Sequence, residues 1–138
     1  MGHLVYIAGP LYTPGERSYL EILAQEIESI GVTTYLPHRD TGIVPATERN
    51  TVSFFKQDVQ GINDAQILVA VLNGNDVDSG TAFEIGYAFA KGKTILGLYE
   101  DTRIADPRIN INPMIVNATH LFASRDKLIA ELKSINSI

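Results

Sequence analysis

The chain has 138 residues, a formal net charge of −5, 45% hydrophobic residues and no cysteine. This length suits one domain with its own core, so we treat residues 1–138 as a single domain. The acidic balance without a Lys/Arg cluster argues against nucleic acid or an anionic membrane as a partner, and the lack of cysteine excludes disulfides and thiolate metal sites.

Strand-like and helix-like segments alternate from the amino end. Residues 4–8 are a short apolar run that predicts a buried strand, after which a Thr13-Pro14-Gly15-Glu16 capping box opens a helix that stops at Gly31. Residues 32–36 are β-branched and aromatic and predict a second strand, followed by a loop at 37–46 and a second helix at 47–62. We expect the two helices to bury apolar faces made of Leu20, Leu23, Ile27 and Ile30, and of Val52, Phe55, Val59 and Ile62.

The alternation continues after the second helix. Residues 67–72 are continuously apolar, as in a central parallel strand, and are far too few to cross a bilayer. A polar loop at 73–79 leads to a helix at 80–91, and residues 94–99 predict a fourth strand.

The last part of the chain holds shorter elements. We expect a polar loop at 100–112, a short helix at 113–118 and a short strand at 120–123. Ser124 is placed to cap a final helix that turns Leu128, Leu132 and Ile135 inward.

Repeated strand–helix units imply a parallel sheet covered by helices on both faces. We therefore predict a single doubly wound α/β domain with a five-stranded parallel sheet, flavodoxin-like or Rossmann-like. Ligands of such sheets bind at the carboxyl ends of the strands, near the switch in strand order. This rule selects the loops at 9–12, 37–46 and 73–79.

Glu84 is the first candidate for chemistry. It is the only ionisable residue between Gly80 and Ala90, in a helix that is apolar on nearly every face and is therefore expected to be buried. A buried carboxylate must be paired, hydrogen-bonded or functional. Glu84 is either a nucleophile or a structural residue bonded to a buried amide or tyrosine.

Two aspartates and a tyrosine accompany Glu84. Asp58 precedes the third strand, and Asp78 precedes the Glu84 helix. Clustered carboxyls raise one another's pKa values, so one of these aspartates can protonate a leaving group. As ordinary residues they would be solvated side chains of a helix and a loop. Tyr6, in the first strand, either hydrogen-bonds a catalytic carboxylate or is a core residue.

Several other interpretations are disfavoured by missing motifs. Gly9-Pro10 does not make a dinucleotide fingerprint, and the chain contains no P-loop and no serine-hydrolase elbow. The three histidines are scattered without metal-ligand spacing, so we expect no metal site. Met1-Gly2-His3 lacks the basic region of a signal peptide, and we expect a cytoplasmic protein.

The sequence resembles the nucleoside 2-deoxyribosyltransferase family. The segment from Asp78 to Ala88 (DSGTAFEIGYA) is similar to the family's nucleophile motif. Three further pieces match in order and spacing, at residues 5–10 (VYIAGP), 58–62 (DVQGI) and 111–114 (INPM).

The resemblance implies a role for each matching residue. Glu84 takes the place of the nucleophile, Tyr6 that of the tyrosine that positions it, and Asp58 and Asp78 those of the acidic residues around base and sugar. Asn112 corresponds to an asparagine that a neighbouring subunit supplies to the deoxyribose, which implies a homodimer or a higher homo-oligomer. Two glycines that flank these residues, Gly9 and Gly80, are expected at the substrate.

The implied activity is the transfer of 2-deoxyribose between free nucleobases, with 2′-deoxynucleosides as donors and no cofactor. Two alternatives remain open. A 2′-deoxynucleoside 5′-monophosphate N-hydrolase would use the same fold, with Arg17 and Ser18 at a helix start that can hold an anion, although Asp78 would repel a phosphate. A non-catalytic nucleoside-binding module would not need a nucleophile.

Overall fold

The computed structural model describes residues 2–137, and within them lie five strands and seven helices. The strands are β1 (Leu4–Ala8), β2 (Thr33–Tyr35), β3 (Ile67–Val71), β4 (Thr94–Leu98) and β5 (His120–Phe122). The helices are α1 (Pro14–Glu28), α2 (Pro37–Asp40), α3 (Val52–Asp64), α4 (Ser79–Ala90), α5 (Pro107–Asn110), α6 (Pro113–Val116) and α7 (Arg125–Asn136).

All strand pairs are parallel, and the sheet order is β2-β1-β3-β4-β5. The predicted doubly wound α/β class with five parallel strands is therefore confirmed. The order reverses between β1 and β3, because the chain first moves outward to β2 and then returns to the other side of β1. The carboxyl ends of β1 and β3 consequently flank the crevice in which this type of sheet binds ligands.

Two apolar layers hold the helices to the sheet. On one face α1 and α7 pack against alternate residues of β1, β3 and β4, with Leu20, Leu23 and Ile27 fully buried. On the other face α3 and α4 cover the remaining residues of the same strands. Full burial of one such leucine or isoleucine contributes about 1.5–3 kcal/mol, so the α1 face alone anchors the helix firmly.

The helix boundaries differ from the prediction in two places. Short helices, α2 and α5, occupy parts of the expected loops at 37–46 and 100–112, since Pro37 and Pro107 sit at helix starts where a missing N–H costs nothing. The second long helix, α3, begins at Val52 rather than residue 47.

The expected burial of two apolar faces was wrong in part. In α3, Val52 and Phe55 are 55% and 54% exposed, although Ile62 is buried. The helix of Glu84, α4, buries only Thr81, Ile85 and Ala88, and leaves Phe83 and Phe89 exposed. The phenylalanines of α3 and α4 line cavities instead of the core, whereas Tyr87 packs against the core.

Candidate active site

A cleft of about 640 Å³ opens at the carboxyl ends of β1, β2 and β3. Its floor and walls come from the loop after β1, the segment after β2, the face of α3 and the first turns of α4. Five of the candidate residues line it: Gly9, Asp58, Asp78, Gly80 and Glu84. Further lining side chains are Leu11, Tyr12, Arg17, Ile43, Val44, Phe54, Phe55 and Phe83.

Glu84 lies in the second turn of α4, beside the helix face that packs on the sheet. The hydroxyl of Tyr6, a fully buried residue of β1, donates a hydrogen bond to Oε2 of Glu84. Burial raises the pKa of Glu84 to about 8, the charges of Asp58 and Asp78 add to this, and the Tyr6 hydrogen bond opposes it. The carboxyl is thus poised to exchange a proton near neutral pH.

Tyr6 is fixed from two sides. Its ring stacks on the ring of Tyr35 in β2, with centroids 5.4 Å apart and planes 9° apart. The two tyrosines are register partners in the parallel pair of β1 and β2. Burial and the charge of Glu84 raise the pKa of Tyr6, so its hydroxyl keeps its proton and acts as a permanent donor.

Asp58 faces the cleft from the middle of α3. Burial raises the pKa of its carboxyl, while a hydrogen bond of 2.6 Å from the hydroxyl of Thr41 opposes that rise. Asp58 and Glu84 both line the cleft, and their pKa values are both displaced toward the protonated form. Such a pair can supply a proton donor and an ionised carboxylate in the same site.

Asp78 is the N-cap of α4. Its Oδ2 accepts hydrogen bonds from the backbone N–H of Thr81 at 3.0 Å and from the hydroxyl of Thr81 at 3.1 Å. The charge of Asp78 is also the main reason that the pKa of the neighbouring Tyr12 is raised. Asp78 therefore holds the start of the Glu84 helix while it borders the cleft.

The candidate glycines lie where the chain passes close to other groups. A Cβ on Gly9 would lie 2.8 Å from Leu20 Cδ2 and 3.1 Å from Cβ of Val71. A Cβ on Gly80 would lie 3.2 Å from Oδ2 of Asp78. The floor of the cleft thus depends on the absence of a side chain at Gly9.

The outer wall of the cleft is apolar. The rings of Phe55 and Phe83 lie 5.9 Å apart and are tilted by 54°, and each is about half exposed. Ile43 and Val44, from the segment after β2, line the same cleft. A flat, largely apolar ligand such as a heterocyclic base suits this wall.

Asn112 does not join the other candidates. It caps α6, where its Oδ1 accepts from the N–H of Met114 at 2.9 Å. It lines a second cavity of about 640 Å³ beside Phe89 and Met114, which are 61% and 82% exposed. Asp76 and Val77 of that cavity directly precede Asp78 of the cleft along the chain.

Several residues that line or support the cleft were not identified from the sequence. Tyr35 and Thr41 support Tyr6 and Asp58, and Phe55 was assigned to the core. A signal for Tyr35 existed, since Tyr6 and Tyr35 lie in two strands that a doubly wound order can place side by side. In residues 2–137 no group of three or more His, Asp or Glu side chains is arranged to hold a metal ion.

No helix in the described part of the chain is both long and apolar enough to span a membrane.

Comparison with known proteins adds to this geometry. The model of the family described as nucleoside 2-deoxyribosyltransferase matches residues 5–124. No curated protein sequence matches the chain. A conserved protein from Enterococcus faecalis has a similar structure, with a TM-score of 0.86, 25% identity, and coverage of 98% of this chain and 99% of the other.

Two further structures have named activities. The 2-deoxyribosyltransferase of Bacillus psychrosaccharolyticus has a TM-score of 0.76 and 23% identity, over 94% of this chain and 95% of its own. The CMP N-glycosidase of Clostridium botulinum has a TM-score of 0.59 and 20% identity, over 96% of this chain and 98% of its own. At these identities the likeness shows a shared fold.

Proposed function

Because the chain belongs to the nucleoside 2-deoxyribosyltransferase family, we propose that it transfers 2-deoxyribose between nucleobases by cleaving the N-glycosidic bond of 2′-deoxynucleosides. The observation that carries the proposal is the pairing of Glu84 with Tyr6 opposite Asp58 in one apolar-walled cleft. We place this activity in nucleobase salvage, and a cytoplasmic location stays a prediction of the sequence.

In the first half-reaction Glu84 attacks the anomeric carbon. Tyr6 holds Oε2, so we assign the attack to Oε1. The bond from C1′ to the base nitrogen breaks as the bond from C1′ to Oε1 forms, and Asp58 gives its proton to the departing base. The sugar has no 2′-hydroxyl, which makes the oxocarbenium-like transition state easier to reach.

In the second half-reaction an incoming base attacks C1′ of the deoxyribosyl-Glu84 ester. The incoming nitrogen loses its proton to Asp58, Glu84 leaves as a carboxylate, and two inversions give overall retention. Water in place of the base gives hydrolysis. The apolar wall of Phe55 and Phe83 favours transfer, because it offers a stacking surface to the second base and limits access of water.

The reaction needs one proton on the Glu84–Asp58 pair. Both carboxyls are protonated at low pH, which removes the nucleophile, and both are ionised at high pH, which removes the acid. The rate of base release should therefore follow a bell in pH. Its alkaline limb reports loss of the last proton of the pair, which the raised pKa of Glu84 places at about 8, and the productive form is the tautomer in which that proton lies on Asp58.

One observation favours 2′-deoxynucleoside 5′-monophosphates as an alternative substrate. Arg17 lines the cleft from the first turn of α1, with Nη1 bound to the carbonyl of Leu11 at 3.0 Å and other N–H groups available to an anion. Asp78 in the same cleft opposes a phosphate by charge repulsion. We therefore rank nucleosides first.

We also propose that the cleft is completed by a second copy of the chain. The second cavity, with exposed Phe89 and Met114, adjoins the loop that carries Asp78, so a partner seated there would lie next to the cleft. A partner's Asn112 could then reach the sugar, as the family resemblance implies. Its Oδ1 is used for capping α6, which leaves the amide N–H groups as donors.

The test is a base-exchange assay with 2′-deoxyinosine and adenine, with Glu84→Ala as control. Appearance of 2′-deoxyadenosine with the wild type only supports the transferase. Hypoxanthine without 2′-deoxyadenosine indicates a hydrolase, and 2′-deoxynucleoside 5′-monophosphates are then compared as donors. Nucleoside binding without any base release would contradict the proposal and support a binding module.

A further inference from the structure

A chain of hydroxyl groups runs behind the cleft from β2 to Asp58. The hydroxyls of Tyr35 and Thr41 are hydrogen-bonded, and Thr41 Oγ1 lies 2.6 Å from Oδ1 of Asp58. Thr41 itself does not line the cleft. Its contact with the site is made through Asp58.

The direction of this chain follows from the number of protons. A threonine hydroxyl has a single proton, and the ionised carboxyl of Asp58 can only accept. Thr41 therefore donates to Asp58 and accepts from Tyr35. The other acceptor near Tyr35, the carbonyl of Gln57, is 3.5 Å away and too distant to compete.

Both hydroxyl groups are held in place by their surroundings. The ring of Tyr35 is stacked on Tyr6, and Gly61 of α3 lets it approach, since a Cβ there would lie 3.0 Å from two ring atoms. Thr41 follows α2, and its N–H donates to the carbonyl of Pro37 at 2.9 Å. The hydroxyl chain is thus preorganised, because β2 carries Tyr35 and the end of α2 positions Thr41.

We propose that Thr41, oriented by Tyr35, is a positioning residue that holds Oδ1 of Asp58 and leaves Oδ2 to carry the proton for the departing base. In this arrangement the Oδ2–H bond breaks and an N–H bond forms on the base, as C1′ passes from the base nitrogen to Oε1 of Glu84. The inference rests on the proposed function, and it adds residues outside the cleft that decide how Asp58 titrates.

Loss of the Thr41 hydroxyl should raise the pKa of Asp58 further, because this hydrogen bond is what opposes the effect of burial. The titratable groups that face Asp58 from packed elements are Tyr6 of β1, Tyr35 of β2 and Glu84 of α4, with Asp78 and Arg17 on the same cleft. Thr41→Val keeps all of them.

The experiment follows the side-chain carboxyl carbon of Asp58 by NMR from pH 3 to 9, with Asp58→Asn to assign the signal. We expect Thr41→Val to move its titration midpoint up by about 0.5–1 pH unit, and Tyr35→Phe to move it less in the same direction. Thr41→Ser, which keeps the hydroxyl, should restore the wild-type midpoint.

Kinetics add a second arm. The acid limb of the pH–rate profile for base release should move up with Thr41→Val and return with Thr41→Ser. An unchanged Asp58 midpoint in both Thr41→Val and Tyr35→Phe would overturn the inference, even with an active wild type. Shifted midpoints in these variants, together with a wild type that releases no base, would instead overturn the proposed function and leave the hydroxyl chain standing.

Discussion

Glu84→Gln should stabilise the fold at alkaline pH. The pKa of Glu84 is raised from 4.5 to about 8, so ionisation of this carboxyl is unfavourable in the folded state. Its contribution to stability is complete below pH 4.5 and is lost as the pH rises through 8. At about 1.4 kcal/mol per pKa unit, the loss in the wild type reaches at most about 5 kcal/mol.

The neutral amide introduced by Glu84→Gln avoids this loss and can still accept a hydrogen bond from Tyr6. The free energy of unfolding, measured by urea titration from pH 5 to 9, should therefore favour Glu84→Gln increasingly between pH 5 and 8 and then level off. Glu131→Gln removes the same charge from an exposed site of α7 and serves as the control. If the difference in the free energy of unfolding between Glu84→Gln and wild type stays constant or shrinks with rising pH, the reasoning that burial makes ionisation of Glu84 unfavourable is refuted.

Three further variants test other parts of the site. Tyr6→Phe removes the hydrogen bond that lowers the pKa of Glu84, so base release should slow about 10- to 100-fold and the alkaline limb of its pH profile should rise; an unmoved limb would contradict this. Asp78→Ala removes the cap of α4 and should lower the stability measured by thermal unfolding by about 1 kcal/mol, whereas Asp78→Ser keeps a capping oxygen and should lose less. Equal losses of stability in the two variants would contradict the capping role. If each site combines Glu84 of one subunit with Asn112 of its partner, a refolded mixture of Glu84→Ala and Asn112→Ala subunits should be active at up to about a quarter of its sites. A mixture that gains no activity would contradict a shared site.

The strands could be predicted from the sequence almost to the residue. Buried parallel strands need continuous apolar runs, and the runs at 4–8 and 67–72 are bounded by glycine or polar residues. Their lateral order could not be read in the same way, because it depends on packing between segments distant in the chain. Tyr35 and Thr41 were missed for this reason, since their role exists only when β2 lies beside β1.

Helical periodicity was less informative about what an apolar face contacts. The spacing of Phe55 in α3 and of Phe83 in α4 is compatible with a core, but these rings line the cleft. An apolar face packs equally well on a sheet, on a ligand or on another subunit, and the spacing alone does not separate these cases. Glu84 was identifiable because a single ionisable residue in an apolar helix conflicts with simple burial.

The central claim is that Glu84 becomes covalently bonded to the sugar. The most direct measurement is mass spectrometry of the protein after incubation with a 2′-deoxy-2′-fluoro-arabinonucleoside, whose fluorine slows breakdown of a glycosyl ester. We predict a mass gain of one fluorinated pentosyl group, located on the peptide that contains Glu84 and absent from Glu84→Gln. Base release from 2′-deoxynucleosides without any such adduct, or an adduct on another residue, would contradict the account.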